Sequence, residues 1–339
     1  MQTPKPSITC FGELLLRLSP PGHQKIQQAK SFEANYGGAE ANVAASLASM
    51  GHNSQFITRL PDNTIGKTAK SQLAFYGVDT QHIQFGGERM GVYFLETGTM
   101  QRNSSVIYDR ANSGMATIEQ GMIDWDAIFE NTQWFHWSGI TPALSISAVE
   151  VCMEALTAAK RHGVTISCDL NYRGKLWQYG TSPAAIMPEL ISMCDLVLGG
   201  KDDARIMLGV QFKDSDGYDA TPQRIKEHFP SVKWVATSLR KSYSASHNSI
   251  AGVFYDGENT YHSPTYDMPT MVDRVGGGDA FMAGLIHGML SYESDYQQVI
   301  NFAAAASCLK HTIHGDISLS TVQEVEQLAA GHDAGRVSR

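Results

Sequence analysis

The chain has no apolar run approaching the ~20 residues that a membrane-spanning helix requires. No Lys/Arg run exceeds two residues and the formal net charge is −8, so the concentrated positive charge of a nucleic-acid surface is missing. Gly-x-x-x-x-Gly-Lys-Ser/Thr does not occur, which removes a P-loop. Cysteine is scarce: Cys10, Cys152, Cys168, Cys194 and Cys308 are an odd, scattered set without a Cys-x-x-Cys pair. That pattern offers neither a disulfide framework nor a zinc site, and buried free thiols in a reducing compartment are the expectation. The opening stretch Met1 to Ser7 is polar and carries Pro4 and Pro6, unlike a signal peptide. A soluble cytoplasmic protein without membrane or nucleic-acid partners is expected. Any bound anion must be met by backbone amides and single cations.

What is present reads as a compact globule. Hydrophobic residues make up 42% and charged residues 18% of 339, enough for one large domain, with or without an appendage. Short apolar runs alternate with helical segments closed by glycine. Ile8 to Phe11, Ser54 to Leu60, Trp134 to Trp137, Val164 to Asp169, Leu196 to Leu198, Trp234 to Ser238 and Ile250 to Tyr255 read as strands. Ala39 to Met50, Lys67 to Tyr76, Ser147 to His162, Pro183 to Met193, Asp279 to Leu290 and Gln297 to His311 read as helices. Thr221-Pro222 reads as a helix start with Thr221 as N-cap. Such alternation predicts an α/β fold, a mostly parallel sheet covered on both faces.

Leu14 to Tyr36 and Met90 to Arg110 break this rhythm. They alternate apolar and polar residues without helices between them, as antiparallel strands projecting from the body would. The expectation is a single domain over residues 1–339 with a small β-sheet lid built discontinuously from about 14–36 and 90–110.

Asp273-Arg-Val-Gly-Gly-Gly-Asp279-Ala-Phe281 is the most informative segment. Gly276, Gly277 and Gly278 free the backbone to turn and to bring N–H groups to a ligand, just before a helix N-terminus with its unpaired donors. Such a loop can hold a phosphoryl group in transfer, and Asp279 in the first turn can take a proton from an attacking hydroxyl. By itself the same string also fits a glycine loop capped by an aspartate.

A second motif changes the balance. Asp273 to Phe281 resembles the C-terminal signature of the ribokinase/PfkB family of carbohydrate kinases, D-T-x-G-A-G-D-x-F, and Gly37-Gly38-Ala39-Glu40-Ala41-Asn42 resembles its N-terminal substrate loop. The resemblance runs from Ile8 to about Ile317. It implies a ribokinase-like fold, ATP with Mg2+ as co-substrate, Asp279 as catalytic base and Gly276 to Gly278 as anion hole. It also implies nucleotide contacts from Thr237, Ser238, Arg240, Asn301 and Ala303, a monovalent cation near Asp273 and Val275, and a homodimer paired through the lid sheet. Where the family commonly has Asn-x-x-Glu, this chain has Gly200-Lys-Asp-Asp203, which leaves Asp203 as the remaining metal candidate.

Further strings resemble the branch of that family acting on 2-dehydro-3-deoxygluconate: Gly91 to Glu96, Val106 to Ser113, Ser138 to Leu144 and Asp169 to Trp177. That resemblance implies sugar-acid contacts from Gly37, Gly38, Asn42, Tyr93, Tyr108, Arg110, Asn171 and Arg173, with phosphorylation at the C6 hydroxyl. The chemistry agrees, since a carboxylate calls for a guanidinium fork at its end of the site. Asp109 and Asp169, each near an arginine in sequence, are expected to orient those arginines. A neutral-sugar kinase of the same family and a catalytically silent sugar binder are the alternatives.

Overall fold

A computed structural model describes residues 7–331. The polar stretch from Met1 lies outside the described residues up to Pro6, and Ser7 already opens the first strand. Among the described residues no helix is long and apolar enough to cross a membrane.

Ser7–Phe11, Thr132–Ser138, Thr165–Asp169 and Leu196–Leu198 are buried almost end to end, the pattern of strands covered on both faces. They form the centre of a nine-stranded sheet, parallel from Ser54–Ile57 at one edge through Ser7–Phe11, Thr132–Ser138, Thr165–Asp169 and Leu196–Leu198 to Trp234–Ser242. Beyond Trp234–Ser242 the pairing turns antiparallel: Asn248–Tyr255 follows, and both Thr260–His262 and Tyr266–Met268 pair with it. The core divides across the sheet. One side gathers Phe11, Trp125, Phe129, Phe135 and Trp137, the other Leu14, Phe56, Phe281 and the Ala/Gly-rich helices Ala39–Ser49, Gly277–Ser291 and Tyr296–Lys310. Small residues let the last two helices touch: a Cβ on Gly284 would stand 2.7 Å from Ala303 Cα. All five cysteines are free, Cys308 half-buried and the other four buried.

The two stretches outside the βα rhythm meet in a separate four-stranded sheet, ordered Glu33–Gly37, Leu15–Ser19, Val92–Glu96, Ser105–Asp109. Its central pair is parallel rather than antiparallel, with Leu16 opposite Val92 and Leu18 opposite Phe94. The chain leaves Leu15–Ser19 for the Ala39–Ser49 helix and returns before Val92, so the strands are not hairpin neighbours.

Several local expectations need correction. The run from Ser54 to Leu60 is two strands, the second (Arg59–Leu60) pairing with Gln84–Phe85 in a sheet of its own. Thr221 is the first residue of its helix and Ala220 the cap, because a 3-10 turn over Tyr218–Ala220 leads in and supplies the entry geometry. The helices Trp125–Phe129, Lys201–Leu208 and Val322–Ala329 are not evident from pattern; all three are short.

Candidate active site

The strands of an α/β sheet present their carboxyl ends to ligands. Here the segments after Ser7–Phe11, Thr132–Ser138 and Thr165–Asp169 open together beneath the small sheet, on a cleft of about 510 Å³. Gly37, Gly38, Asn42, Tyr93, Tyr108, Arg110, Asn171, Arg173, Arg240, Gly276 to Gly278 and Asp279 all line it.

At the glycine loop the backbone explains the residue choice. Gly276 caps the Gly277–Ser291 helix at φ +82°, and a Cβ there would lie 1.8 Å from the main-chain oxygen of Asp316. A Cβ on Gly277 would meet the His311 ring at 2.4 Å, whereas nothing lies within 4 Å of one on Gly278. The helix N-terminus therefore opens on the cleft at Gly278, with its unpaired N–H donors. Within the first turn, Asp279 accepts a hydrogen bond from Asn42 Nδ2 at 2.7 Å. Burial raises the Asp279 carboxyl to about 6, against the opposing pull of the Asn42 hydrogen bond and Arg173. Asp169 is pushed well above its ordinary range by burial and by the charges of Asp279 and Asp203.

The substrate-side residues divide by how they are held. Arg110 is buried, its Nε donating to Glu13 Oε2 at 2.7 Å and its Nη2 to the same oxygen, while Ser113 donates to the other. Arg173 is exposed and makes no ion pair among the described residues; Asp169, Asp203 and Asp279 feel its charge. Asp109 pairs with Arg89 at 2.8 Å rather than with Arg110. Asp169 accepts from Asn171 N at 3.1 Å, and Asn171 takes a left-handed φ of 42°. Tyr93 donates to Asp316 Oδ1, and its ring lies 6.0 Å from that of Tyr108. A Cβ on Gly37 would strike Asp316 and one on Gly38 the Glu13 carbonyl, so neither position has room for a side chain.

Of the nucleotide candidates outside the glycine loop only Arg240 faces the cleft. Its Nη2 donates to His311 Nε2 at 2.6 Å, which is open as an acceptor because Nδ1 donates to Ser307 O at 2.6 Å. Burial and the neighbouring Arg240 lower His311 to about 4, keeping it neutral. Thr237 is buried and donates to Gly199 O, Ser238 sits behind it on the same strand, Asn301 accepts from Gln297, and Ala303 packs against Gly284. Asp203 does not line the cleft; it accepts the Gly200 N–H at 3.1 Å and caps its own helix. Among the described residues no group of three or more His, Cys, Asp or Glu side chains could hold a metal.

Sequence reasoning missed Asp316 and Arg274 at the cleft, and the buried Glu13 that holds Arg110. It also missed Glu40, fully buried and raised to about 7 by burial, whose Oε1 accepts from Ser138 and Thr141 while Oε2 has no partner among the described residues. Gly12 is the matching signal, since a Cβ there would lie 2.2 Å from the Glu40 carboxylate.

A family model described as pfkB family carbohydrate kinase matches residues 5–322, a span that contains the glycine-loop helix start, the aspartate in its first turn and the Gly37-Gly38 loop. The chain belongs to the pfkB family of carbohydrate kinases. Members of this kinase class transfer phosphate to an alcohol oxygen. This carbohydrate kinase is 32% identical over 329 residues to a 2-dehydro-3-deoxygalactonokinase of Haloferax volcanii, across 97% of this chain and 98% of that protein. The crystal structure of a 2-dehydro-3-deoxygluconokinase from Thermotoga maritima superposes with a TM-score of 0.91 at 41% identity, covering 96% and 99% of the two chains. A fructokinase from Xylella fastidiosa, with bound ATP, shares the fold at a TM-score of 0.76 and 22% identity over 96% and 98%.

Proposed function

We propose that this carbohydrate kinase phosphorylates 2-dehydro-3-deoxy-D-gluconate, or its C4 epimer, at the C6 hydroxyl with ATP as donor. One observation carries the reading: a desolvated aspartate at an open helix N-terminus shares a cleft with Arg173, which has no ion-pair partner among the described residues. The sugar carboxylate lies against Arg173, with Arg110 and Tyr108 beside it, and the hydroxyl chain runs past Asn42 towards the glycine loop. Asp279 accepts the C6 proton as that oxygen attacks the γ-phosphorus, and the N–H groups at Gly277 and Gly278 receive the charge spreading over the phosphoryl oxygens. A carboxyl near 6 is ionised at neutral pH yet basic enough to share a proton in the transition state. Arg240, held by neutral His311, and Arg274 supply cations to the nucleotide phosphates.

Mg2+ arriving with the nucleotide would neutralise phosphate charge; Asp169, which lines the cleft, is the carboxylate this chain offers towards it, in keeping with the few protein ligands such sites use. The small sheet acts as a lid. Its hairpin tip is hydrogen-bonded to the body, Met100 N–H to Ser246 Oγ at 3.1 Å and Ala245 N–H to Met100 O at 2.8 Å. Its outer face, with Phe32 and Ile107 exposed, is where a second copy packs in the homodimer. Free thiols fit a reducing, cytoplasmic setting.

The Haloferax volcanii relative is named for the galactonate series and the Thermotoga maritima one for the gluconate series, so both epimers belong in the test. ADP release is measured with the two keto sugar acids, fructose and ribose, and the ester position is read from the product's phosphorus–proton coupling. Efficient turnover confined to the acids, with the ester at C6, is expected. Preference for a neutral sugar, or binding without turnover, would replace this reading.

A further inference from the structure

Arg17 is a charged residue on the inward face of a strand. Alternation along Leu15–Ser19 sends Leu15, Arg17 and Ser19 to one side, and all three are buried. A buried guanidinium demands partners, and Arg17 has three. Nη2 donates to Asp273 Oδ2 at 2.5 Å, Nη1 to Asp316 Oδ2 at 3.0 Å and Nε to Ser19 Oγ at 3.0 Å. The two aspartates lie far along the chain, and each meets the glycine loop or the residue before it. Asp273 Oδ1 accepts the N–H of Val275, and the Asp316 carbonyl stands against Gly276. One side chain of the small sheet thus fixes both supports of the segment that presents the helix N-terminus.

The family resemblance implies a monovalent cation near Asp273 and Val275. The residues present do not fit one at that carboxylate. Asp273 Oδ1 is taken by Val275 N, and Oδ2 by Arg17 Nη2 and by Gly315 N at 3.2 Å. The Val275 amide turns a donor, not an acceptor, towards the carboxylate. Asp316 is likewise filled, by Arg17 on one oxygen and Tyr93 on the other. An ion at this carboxylate would have to displace the guanidinium.

We propose that Arg17 is a built-in cation, doing for the glycine loop what a monovalent ion would do, so that the protein is indifferent to potassium and sodium. Arg17 is a positioning residue: it acts on the transferred phosphoryl group only through the loop it holds. The inference rests on the reading of Gly276 to Gly278 as the anion hole.

The test compares KCl, NaCl and choline chloride at equal ionic strength, by thermal melting of the unliganded chain and by ADP release with the keto sugar acids. Equal Tm and equal turnover in all three salts are expected. A potassium- or sodium-specific, saturable rise in Tm overturns the proposal; an ion at a hundredfold its Kd would produce about 4 °C. Arg17→Met is the second arm, with turnover expected to fall at least ~10-fold, the scale of one lost charge-assisted hydrogen bond. Recovery with low concentrations of guanidinium, and partial recovery in Arg17→Lys, distinguish lost charge from lost packing. A folded Arg17→Met with wild-type turnover defeats the idea. If that variant does not fold, the wild-type salt comparison still decides. Should no sugar be turned over, the kinase reading falls while the melting comparison continues to judge Arg17.

Discussion

Replacing Asp279 by asparagine should cripple turnover and stabilise the protein at the same time. The carboxyl sits at about 6 against an ordinary 3.8, because burial disfavours its charged form. A group whose folded pKa is raised binds its proton more tightly in the folded state, so ionising it costs stability as pH climbs from 3.8 through about 6, and the full cost is present above that window. At about 1.4 kcal/mol per pKa unit the gap comes to about 3 kcal/mol. The Asp279→Asn change removes the charge, keeps the shape and leaves an amide oxygen that can still accept from Asn42. At pH 8 the variant should therefore melt about 4 °C higher, taking the usual unfolding entropy per residue for a chain of this length. Its kcat should fall by at least ~10²-fold, the low end for a lost general base. At pH 4, where the wild-type carboxyl is itself protonated, the difference in Tm should shrink. Calorimetric melts at the two pH values and initial rates of ADP release read both effects. Turnover within threefold of wild type removes Asp279 from the chemistry. A lower Tm at pH 8 would mean that the charge is paired better than its surroundings indicate.

The two cleft arginines, Arg173 and Arg110, should behave unequally. Arg173→Ala should lose roughly 10- to 150-fold in kcat/KM towards the sugar acid, the scale of a charge-assisted hydrogen bond, and little towards an analogue with hydroxymethyl in place of carboxylate. Arg110→Ala should depress both substrates and lower Tm, because it strands the buried Glu13 carboxylate; equal acid selectivity in the two variants would refute this division. Lid closure over the sugar should slow amide exchange in 14–36 and 90–110 when the sugar acid is added, whereas unchanged exchange at saturation would leave the small sheet a fixed wall.

How much of this was legible in sequence depends on the reach of each interaction. The glycine loop could be read because its turn, helix start and aspartate lie within nine consecutive residues, and the central strands because short runs rich in β-branched and aromatic residues alternate with helical segments. Arg17 was hidden because nothing beside it in sequence shows its partners, 256 and 299 residues away. Asp316 gave no signal either, as a lone aspartate after Gly315 that acquires meaning only when the chain reverses onto the glycine loop. Glu13 and Arg110 hid each other in the same way, so an arginine that matched a substrate contact in pattern proved to be neutralised in place. Asp203 was misplaced for a local reason: a carboxylate a few residues after a strand end suits a metal or a helix cap, and the short Lys201–Leu208 helix that decides for the cap has too few turns to show a period. Thr237 and Ala303 fell on positions where small or polar side chains serve packing and a carbonyl, which a pattern does not distinguish from ligand contact.

The cysteines described with the core offer an internal clock. Cys10, Cys152 and Cys168 are buried, and burial holds each thiol well above its ordinary range, so the reactive thiolate is scarce as well as shielded. Cys10 and Cys168 stand on central strands and Cys152 on the Ile146–Arg161 helix packed beside them. A thiol reagent can meet these three only after the body of the molecule has opened. Their modification rate, followed without any engineered label, therefore times global opening. Cys308, half-buried on the Tyr296–Lys310 helix, reports lesser excursions.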